Sequence, residues 1–184
     1  MKLVVTEFLS LDGVMEAPGG EPGYVHTGWV IDSMGPQAMQ FKLDEVLEAE
    51  AHLLGRLTYE SFAGAWPTQT GEFADKVNRM PKHVVSTTLT DLGWENCHLI
   101  DRDVPEQVAA LKARDGGPLL VAGSRTLVHT LMAHDLVDEY RLMIFPVVLG
   151  SGHRLFPDSP DTMGLKLVGC QTCDTGVVVL TYAY

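Results

Sequence analysis

Long apolar runs, paired cysteines and positive charge are all scarce in this chain of 184 residues. No apolar run approaches the roughly 18–20 residues that a membrane-spanning helix needs, so we expect no membrane partner. Lysine and arginine total 13 against 24 aspartates and glutamates, which gives a net charge of −11. Because a phosphate backbone binds to basic surfaces, this acidic balance argues against nucleic acid as the partner.

The cysteines and the N-terminus indicate a cytoplasmic protein without a metal site. Three cysteines, an odd number, favour free thiols over a disulfide framework. Glu7 follows Met1 too closely for a signal peptide. Cys170 and Cys173 have C-x-x-C spacing, but zinc needs four ligands and the sequence offers no second pair. We therefore predict a structural role for these two residues, which lie in a predicted strand.

Strand and helix patterns alternate along most of the chain. The predicted strands cover residues 2–11, 51–55, 82–86, 97–100, 118–122 and 138–149, and the predicted helices cover residues 36–50, 56–64, 72–79, 104–114 and about 124–133. The last twenty residues predict two strands around a turn at 174–176. This order predicts a single α/β domain over residues 1–184, with a mostly parallel central sheet flanked by helices and a C-terminal antiparallel hairpin.

The sequence lacks the G-x-G-x-x-G and G-x-x-x-x-G-K-[ST] phosphate motifs, yet one strand-to-helix turn carries similar chemistry. An apolar strand ends at Gly55, and Arg56 and Thr58 open the following helix. A helix N-terminus presents free N–H groups and a dipole that favours an anion, glycine permits close approach, and arginine can bind a phosphate with paired hydrogen bonds. An ordinary helix start with a solvated arginine is equally compatible with the pattern.

A second turn repeats this arrangement with Gly123, Ser124, Arg125 and Thr126. Because parallel strands end on the same side of a sheet, both helix N-termini should face one crevice, where a ligand with two phosphate-bearing ends could bridge them. Ser86, at the end of the strand 82–86, could add a hydroxyl for a ribose phosphate, or belong only to a polar turn.

Four segments together resemble the dihydrofolate reductase superfamily. Gly55-Arg56-Leu57-Thr58-Tyr59-Glu60-Ser61 is similar to the G-R-x-T-[WY]-E-S segment of dihydrofolate reductases. It is closer to the reductase domain of the bifunctional riboflavin-biosynthesis deaminase-reductase and its stand-alone bacterial relatives. Residues 10–13, 121–125 and 146–156 resemble that group's first-strand signature, second phosphate turn and late glycine-rich turn.

The resemblance implies a dihydrofolate-reductase-like fold with three layers, NADPH as the hydride donor, and a homodimer. It places the cofactor's phosphates at the two turns and Ser86 near the adenosine 2′-phosphate. It places Asp12 and the late turn, with Pro146, Gly150 and Gly152, at the nicotinamide and substrate end. The reduced product also needs a proton, for which Asp12 or a water that it holds is the candidate donor. Asp12 is equally compatible with a plain role as the first turn residue after the strand.

Three functions follow from this resemblance. The first is reduction of a small heteroaromatic molecule, such as the riboflavin-pathway 5-amino-6-(5-phosphoribosylamino)uracil or a related pyrimidine or pterin. The second is a nucleotide-binding sensor or interaction protein that keeps the fold without turnover. The third is a dihydrofolate reductase, in which Asp32 would hold the pterin, although the same carboxylate could instead cap the next helix.

Overall fold

The computed structural model describes residues 1–158 and 162–184. In chain order, the strands of these residues are β1 (Leu3–Ser10), β2 (Ala51–Gly55), β3 (Lys82–Val85), β4 (Cys97–Ile100), β5 (Leu119–Val121), β6 (Glu139–Phe145), β7 (Lys166–Thr172) and β8 (Val178–Ala183). The α-helices are α1 (Pro36–Glu48), α2 (Arg56–Ala65), α3 (Glu72–Arg79), α4 (Val104–Lys112) and α5 (Arg125–Ala133). Single 3-10 turns occupy Ile31–Ser33 and Trp66–Thr68.

All of these strands belong to a single sheet with the order β4-β3-β2-β5-β1-β6-β8-β7. Every pairing from β4 across to β6 is parallel, whereas β8 runs antiparallel to β6 and β7 runs antiparallel to β8. The predicted mostly parallel sheet with a C-terminal antiparallel hairpin is therefore confirmed.

Helices cover both faces of the parallel part of the sheet. On one face, Val4 and Leu54 pack in a cluster that includes side chains of α1, α2 and α3. On the other face, Val5 and Val121 pack with side chains of α4 and α5. Successive residues of β1 thus enter opposite layers, which explains why this strand is apolar on both faces.

The strand order places a topological switch point between β2 and β5. These two strands are neighbours, but the chain leaves β2 through α2 toward β3 and leaves β5 through α5 toward β6, in opposite directions across the sheet. Open α/β sheets bind ligands where neighbouring connections diverge in this way. The N-termini of α2 and α5 therefore stand at one edge, on either side of the divergence.

Two sequence expectations are corrected here. The strand predicted at 138–149 ends at Phe145, because Pro146 has no N–H to continue the ladder. Asp32 does not cap α1, which begins at Pro36 with Gly35 as its N-cap. Asp32 instead lies exposed in a separate 3-10 turn.

The three cysteines are free, and Cys170 lies exposed in β7 while Cys173 is buried just beyond the strand's end. No helix in the described ranges has both the length and the apolar character needed to cross a membrane.

Lys82 is a buried cation that closes the C-terminal end of α3. Its side chain is fully buried, and Nζ donates to the backbone oxygens of Val77, Asn78 and Met80 at 2.9, 2.7 and 2.8 Å. Nζ also lies 4.3 Å from the centroid of the Trp94 ring. The last carbonyls of a helix have no intrahelical donors and carry partial negative charge, so Lys82 supplies both the hydrogen bonds and the opposite charge.

We predict that Lys82→Met lowers the free energy of unfolding by roughly 2–4 kcal/mol, because it leaves buried carbonyl groups without donors. Urea denaturation measures the change. Lys76→Met is the control, because Lys76 lies in α3 itself and is partly exposed. This substitution should lower the free energy of unfolding by under about 1 kcal/mol. Equal losses in the two variants would contradict this account of Lys82.

Candidate functional site

The turns after β2 and β5 are in direct contact. The Gly55 N–H donates to the Gly123 carbonyl oxygen at 3.3 Å. A Cβ placed on Gly55 would lie 2.4 Å from Ser124 Oγ and 3.0 Å from the Ser124 nitrogen, closer than real atoms approach. Glycine at position 55 is therefore required by the approach of the second turn.

Gly123 and Thr58 complete this contact. Thr58 Oγ1 lies 3.2 Å from Ser124 Oγ, within hydrogen-bond distance. Gly123 has a φ of 90°, a left-handed conformation that favours glycine, and a Cβ there would come within 2.8 Å of Thr58 Oγ1. The peptide bond between Gly123 and Ser124 is cis. The two turns therefore form a single surface.

The N-termini of α2 and α5 both lack a side-chain cap. Their N-cap residues are Gly55 and Ser124, and neither makes a side-chain hydrogen bond to the helix that it starts. The first-turn N–H groups consequently have no intrahelical acceptor, and the helix dipoles place partial positive charge at the same edge. Such groups fit the phosphates of a dinucleotide.

Arg56 lies exposed at the rim of this surface. Its guanidinium NH1 donates to both carboxylate oxygens of Glu60, at 2.9 and 3.0 Å, one turn along α2. An exposed pair of this kind contributes little to stability, so the guanidinium can exchange Glu60 for an anion at low cost.

Ser86 directly follows β3, the neighbour of β2 in the sheet, and therefore lies on the β2 side of this surface. Val85 is the register partner of Gly55, so Ser86 comes directly after that pair. The buried Ser86 Oγ accepts from the backbone N–H groups of Thr88 and Leu89 at 3.2 and 3.0 Å. Its hydroxyl therefore stabilises the turn, and a cofactor-binding role for it stays a prediction.

Arg125 and Thr126 open α5, but Arg125 does not point to the first turn. Its Nε donates to the Arg154 carbonyl oxygen at 3.1 Å, and His129 Nε2 lies 2.8 Å from the Leu155 oxygen. These bonds tie α5 to the late glycine-rich segment, while Thr126 remains exposed.

Asp12 anchors the end of β1 to the late turn. Its carboxylate accepts from Ser10 Oγ at 2.7 Å and from the N–H groups of Leu149 and Gly150 at 3.1 and 2.8 Å. The Ser10 and Leu149 bonds are the main causes that lower the pKa of Asp12 to about 2. An ionised carboxylate has no proton to donate. Of the two predicted proton donors, Asp12 itself and a water that it holds, this geometry therefore suits the water.

The late turn is closely packed against the loop that follows β1. A Cβ on Gly152 would lie 2.7 Å from Val14 Cγ1 and 2.9 Å from the Tyr24 hydroxyl. Tyr24 also donates to the Ser151 oxygen at 2.6 Å. Pro146 begins this turn by ending β6. The structure thus joins the predicted substrate-side residues to one another, and their role toward a substrate stays a prediction.

Glu7 is a residue of this site that the sequence analysis missed. It lies in the middle of β1, is 9 % exposed, and its Oε1 has no hydrogen-bond partner within the described residues. Burial raises its pKa to about 8, although the Lys42 charge and the Gly123 backbone amide act in the opposite direction. The signal was available, since Glu7 is the one charged residue of the buried strand β1.

Comparisons with known proteins agree with this architecture. An uncharacterized protein, YyaP, from Bacillus subtilis (strain 168) is 30% identical over 186 residues, covering 98% of this chain and 94% of YyaP. The crystal structure of a putative riboflavin biosynthesis protein from Shewanella sp. PV-4 superposes with a TM-score of 0.76 at 20% identity, over 100% of this chain and 98% of that chain.

Dihydrofolate reductase from Enterococcus faecalis, solved with NADP(H) and RAB-propyl, has the same fold. It superposes with a TM-score of 0.61 at 15% identity, over 99% of this chain and 95% of that chain. The predicted dihydrofolate-reductase-like fold is confirmed. The family model of the RibD C-terminal domain matches residues 1–179, and the chain accordingly belongs to the RibD C-terminal domain family.

Proposed function

We propose that this protein is an NADPH-dependent reductase that transfers a hydride to a small heteroaromatic substrate, a pyrimidine or a pterin. The observation that carries the proposal is the contact between the Gly55 and Gly123 turns, which unites two uncapped helix N-termini in one surface. A dinucleotide has two phosphate groups, one for each of these helix N-termini. The structural neighbours support this choice, because the Shewanella protein is described as a putative riboflavin biosynthesis protein and the Enterococcus enzyme was solved with NADP(H).

Each part of the site would have a distinct role in cofactor binding or hydride transfer. The free first-turn amides of α2 and α5, which follow Gly55 and Ser124, would bind the diphosphate, with Thr58 and Thr126 adding hydroxyl groups at the same edge. Arg56 would leave Glu60 for the adenosine 2′-phosphate. NADPH supplies the hydride, and the protein aligns the rings and excludes water.

The substrate side would lie between β1 and the late turn. Asp12 fixes this geometry through Leu149 and Gly150. Its carboxylate would orient a water that delivers the proton.

The alternative proposal, a nucleotide-binding sensor without turnover, keeps the same cofactor surface and differs only at the substrate side. A dihydrofolate reductase would require pterin binding near Asp32, which lies exposed in the 3-10 turn.

Titration of the purified protein with NADPH and NADH, followed by fluorescence, tests the proposal. Loss of NADPH absorbance is then followed with dihydrofolate and with the aminouracil ribotide of the riboflavin pathway. Micromolar NADPH binding and turnover of one substrate are expected. Absence of binding of either cofactor below millimolar concentration would overturn the proposal, and tight binding without turnover on any pyrimidine, pterin or flavin would favour the sensor.

We predict that Arg56→Ala weakens NADPH binding by about tenfold more than NADH binding, because only NADPH carries the 2′-phosphate and a charge-assisted hydrogen bond contributes about 1.5–3 kcal/mol. Glu60→Gln is the matched control, since it releases the guanidinium from its pair and should leave NADPH affinity equal or higher. If Arg56→Ala weakens both cofactors equally, Arg56 contacts the shared diphosphate or acts only structurally.

We further propose that the protein forms a homodimer through β7. This strand is one of the two edges of the sheet, and its Leu167 and Val168 are 49 % and 53 % exposed. An exposed, apolar edge strand presents unpaired backbone groups that a second copy can bind.

Light scattering should give about twice the chain mass of 20.1 kDa. Val168→Lys should yield the monomer, whereas Val25→Lys, at a position 81 % exposed in the loop after β1, should not change the mass. A wild-type protein that is monomeric at assay concentrations would refute the dimer.

A further inference from the structure

Glu7 lies beneath the second turn, and the reaction proposed above leaves it without a role. Its register partner on β6 is Leu142, whose side chain belongs to the layer of α4 and α5. A Cβ on Gly123 would stand 3.9 Å from Glu7 Oε1, the oxygen without a hydrogen-bond partner in the described part of the chain. The carboxyl group therefore faces the turn that precedes α5.

The charges around Glu7 come mainly from α1 on the other face of the sheet. Lys42 favours the ionised form of Glu7, and Glu45 disfavours it. On α5, the side chains of Arg125 and His129 bind backbone oxygens of the late glycine-rich segment instead. Burial outweighs these effects and raises the pKa of Glu7 to about 8, so the acid is mostly neutral at pH 7.

An ionised Glu7 would oppose phosphate binding at the second turn. The positive end of the α5 dipole and the Gly123 amide attract whichever anion is nearest. A carboxylate beneath the turn would partly neutralise that field and repel a phosphate above it, and the repulsion is strong where water is excluded. A neutral acid leaves the field available to the ligand.

We propose that Glu7 is a positioning residue of the cofactor site: as a neutral acid beside the Gly123 turn it leaves the positive field of that turn available to a phosphate, and its ionisation releases the phosphate-bearing cofactor at alkaline pH. This inference rests on the proposed function, because it concerns the affinity of the same surface for NADPH.

The ionisation of Glu7 should also appear in the stability of the protein without cofactor. The pKa is raised from 4.5 in the unfolded chain to about 8 in the folded protein. The stabilising contribution of neutral Glu7 is therefore complete below pH 4.5 and is lost as pH rises to about 8. Glu7→Gln has no such titration, so its urea midpoint should fall less than that of the wild type between pH 5 and 8.

The experiment compares the wild type, Glu7→Gln and Glu139→Gln by NADPH titration from pH 6.5 to 9 and by urea denaturation from pH 5 to 9. Glu139 is the matched control: it is another buried strand carboxylate, but Lys2 and Arg141 bind it and lower its pKa. The wild-type Kd for NADPH should rise about tenfold between pH 7 and pH 9, as expected if only neutral Glu7 permits binding. Glu139→Gln should show the same rise, and Glu7→Gln should stay within about twofold.

A wild-type Kd that is constant across this range would overturn the role of Glu7 and leave the reductase proposal intact. The same alkaline rise in Glu7→Gln, or urea midpoints that change with pH in parallel for Glu7→Gln and the wild type, would overturn it as well. If NADPH binds at no pH, the proposed function fails, and the positioning role fails with it.

Discussion

The contact between the turns after β2 and β5 is the constraint on which the site depends. At Gly55 the second turn comes so close that even a methyl group has no room, and the Gly55 N–H closes the contact by donating to Gly123. The sheet order makes this contact possible, because it places β5 beside β2 although more than sixty residues separate them. Two helix N-termini that are remote in sequence meet in one surface as a result, and this is the surface that we propose binds the cofactor.

A second set of contacts orients the late turn beside the end of β1. Asp12 holds the late turn through two backbone amides, and Arg125 ties α5 to the same segment. The two touching turns and the late turn are thus linked through α5 and the end of β1. Glu7 lies between them in β1, where a change of charge affects the second turn directly. In the proposed function, backbone amides bind the cofactor and a few buried side chains control its affinity.

Most of the fold could be predicted because its signals are local. Apolar runs bounded by glycine marked β2 and β5, and helical periodicity marked α3 with the observed bounds. The meeting of both turns at one edge of the sheet could be predicted because the strands that precede them are parallel. The end of β6 was missed because Val147 to Leu149 continue the apolar pattern, whereas the absence of an N–H on Pro146 decides where the ladder stops.

The roles of site residues could not be predicted where they depend on contacts between residues that are remote in sequence. Asp12 was identified as a possible donor, but its bonds to Leu149 and Gly150 join residues that are remote in sequence, and these bonds keep it ionised. The importance of Glu7 depends on its burial beside Gly123, which no periodicity indicates. Residue types thus predicted which two turns would meet better than they predicted the buried groups beside those turns.

The central claim is that the touching turns form one cofactor site, and NADPH titration of Gly55→Ala against Gly64→Ala tests it most directly. Gly64 lies in α2, the helix that begins directly after Gly55, with open space where a Cβ would stand. Gly55→Ala must push Ser124 away and should weaken NADPH binding on the order of tenfold to a hundredfold, while far-UV circular dichroism reports a folded protein. Gly64→Ala should bind like the wild type. Equal NADPH affinities for the two folded variants would contradict the account.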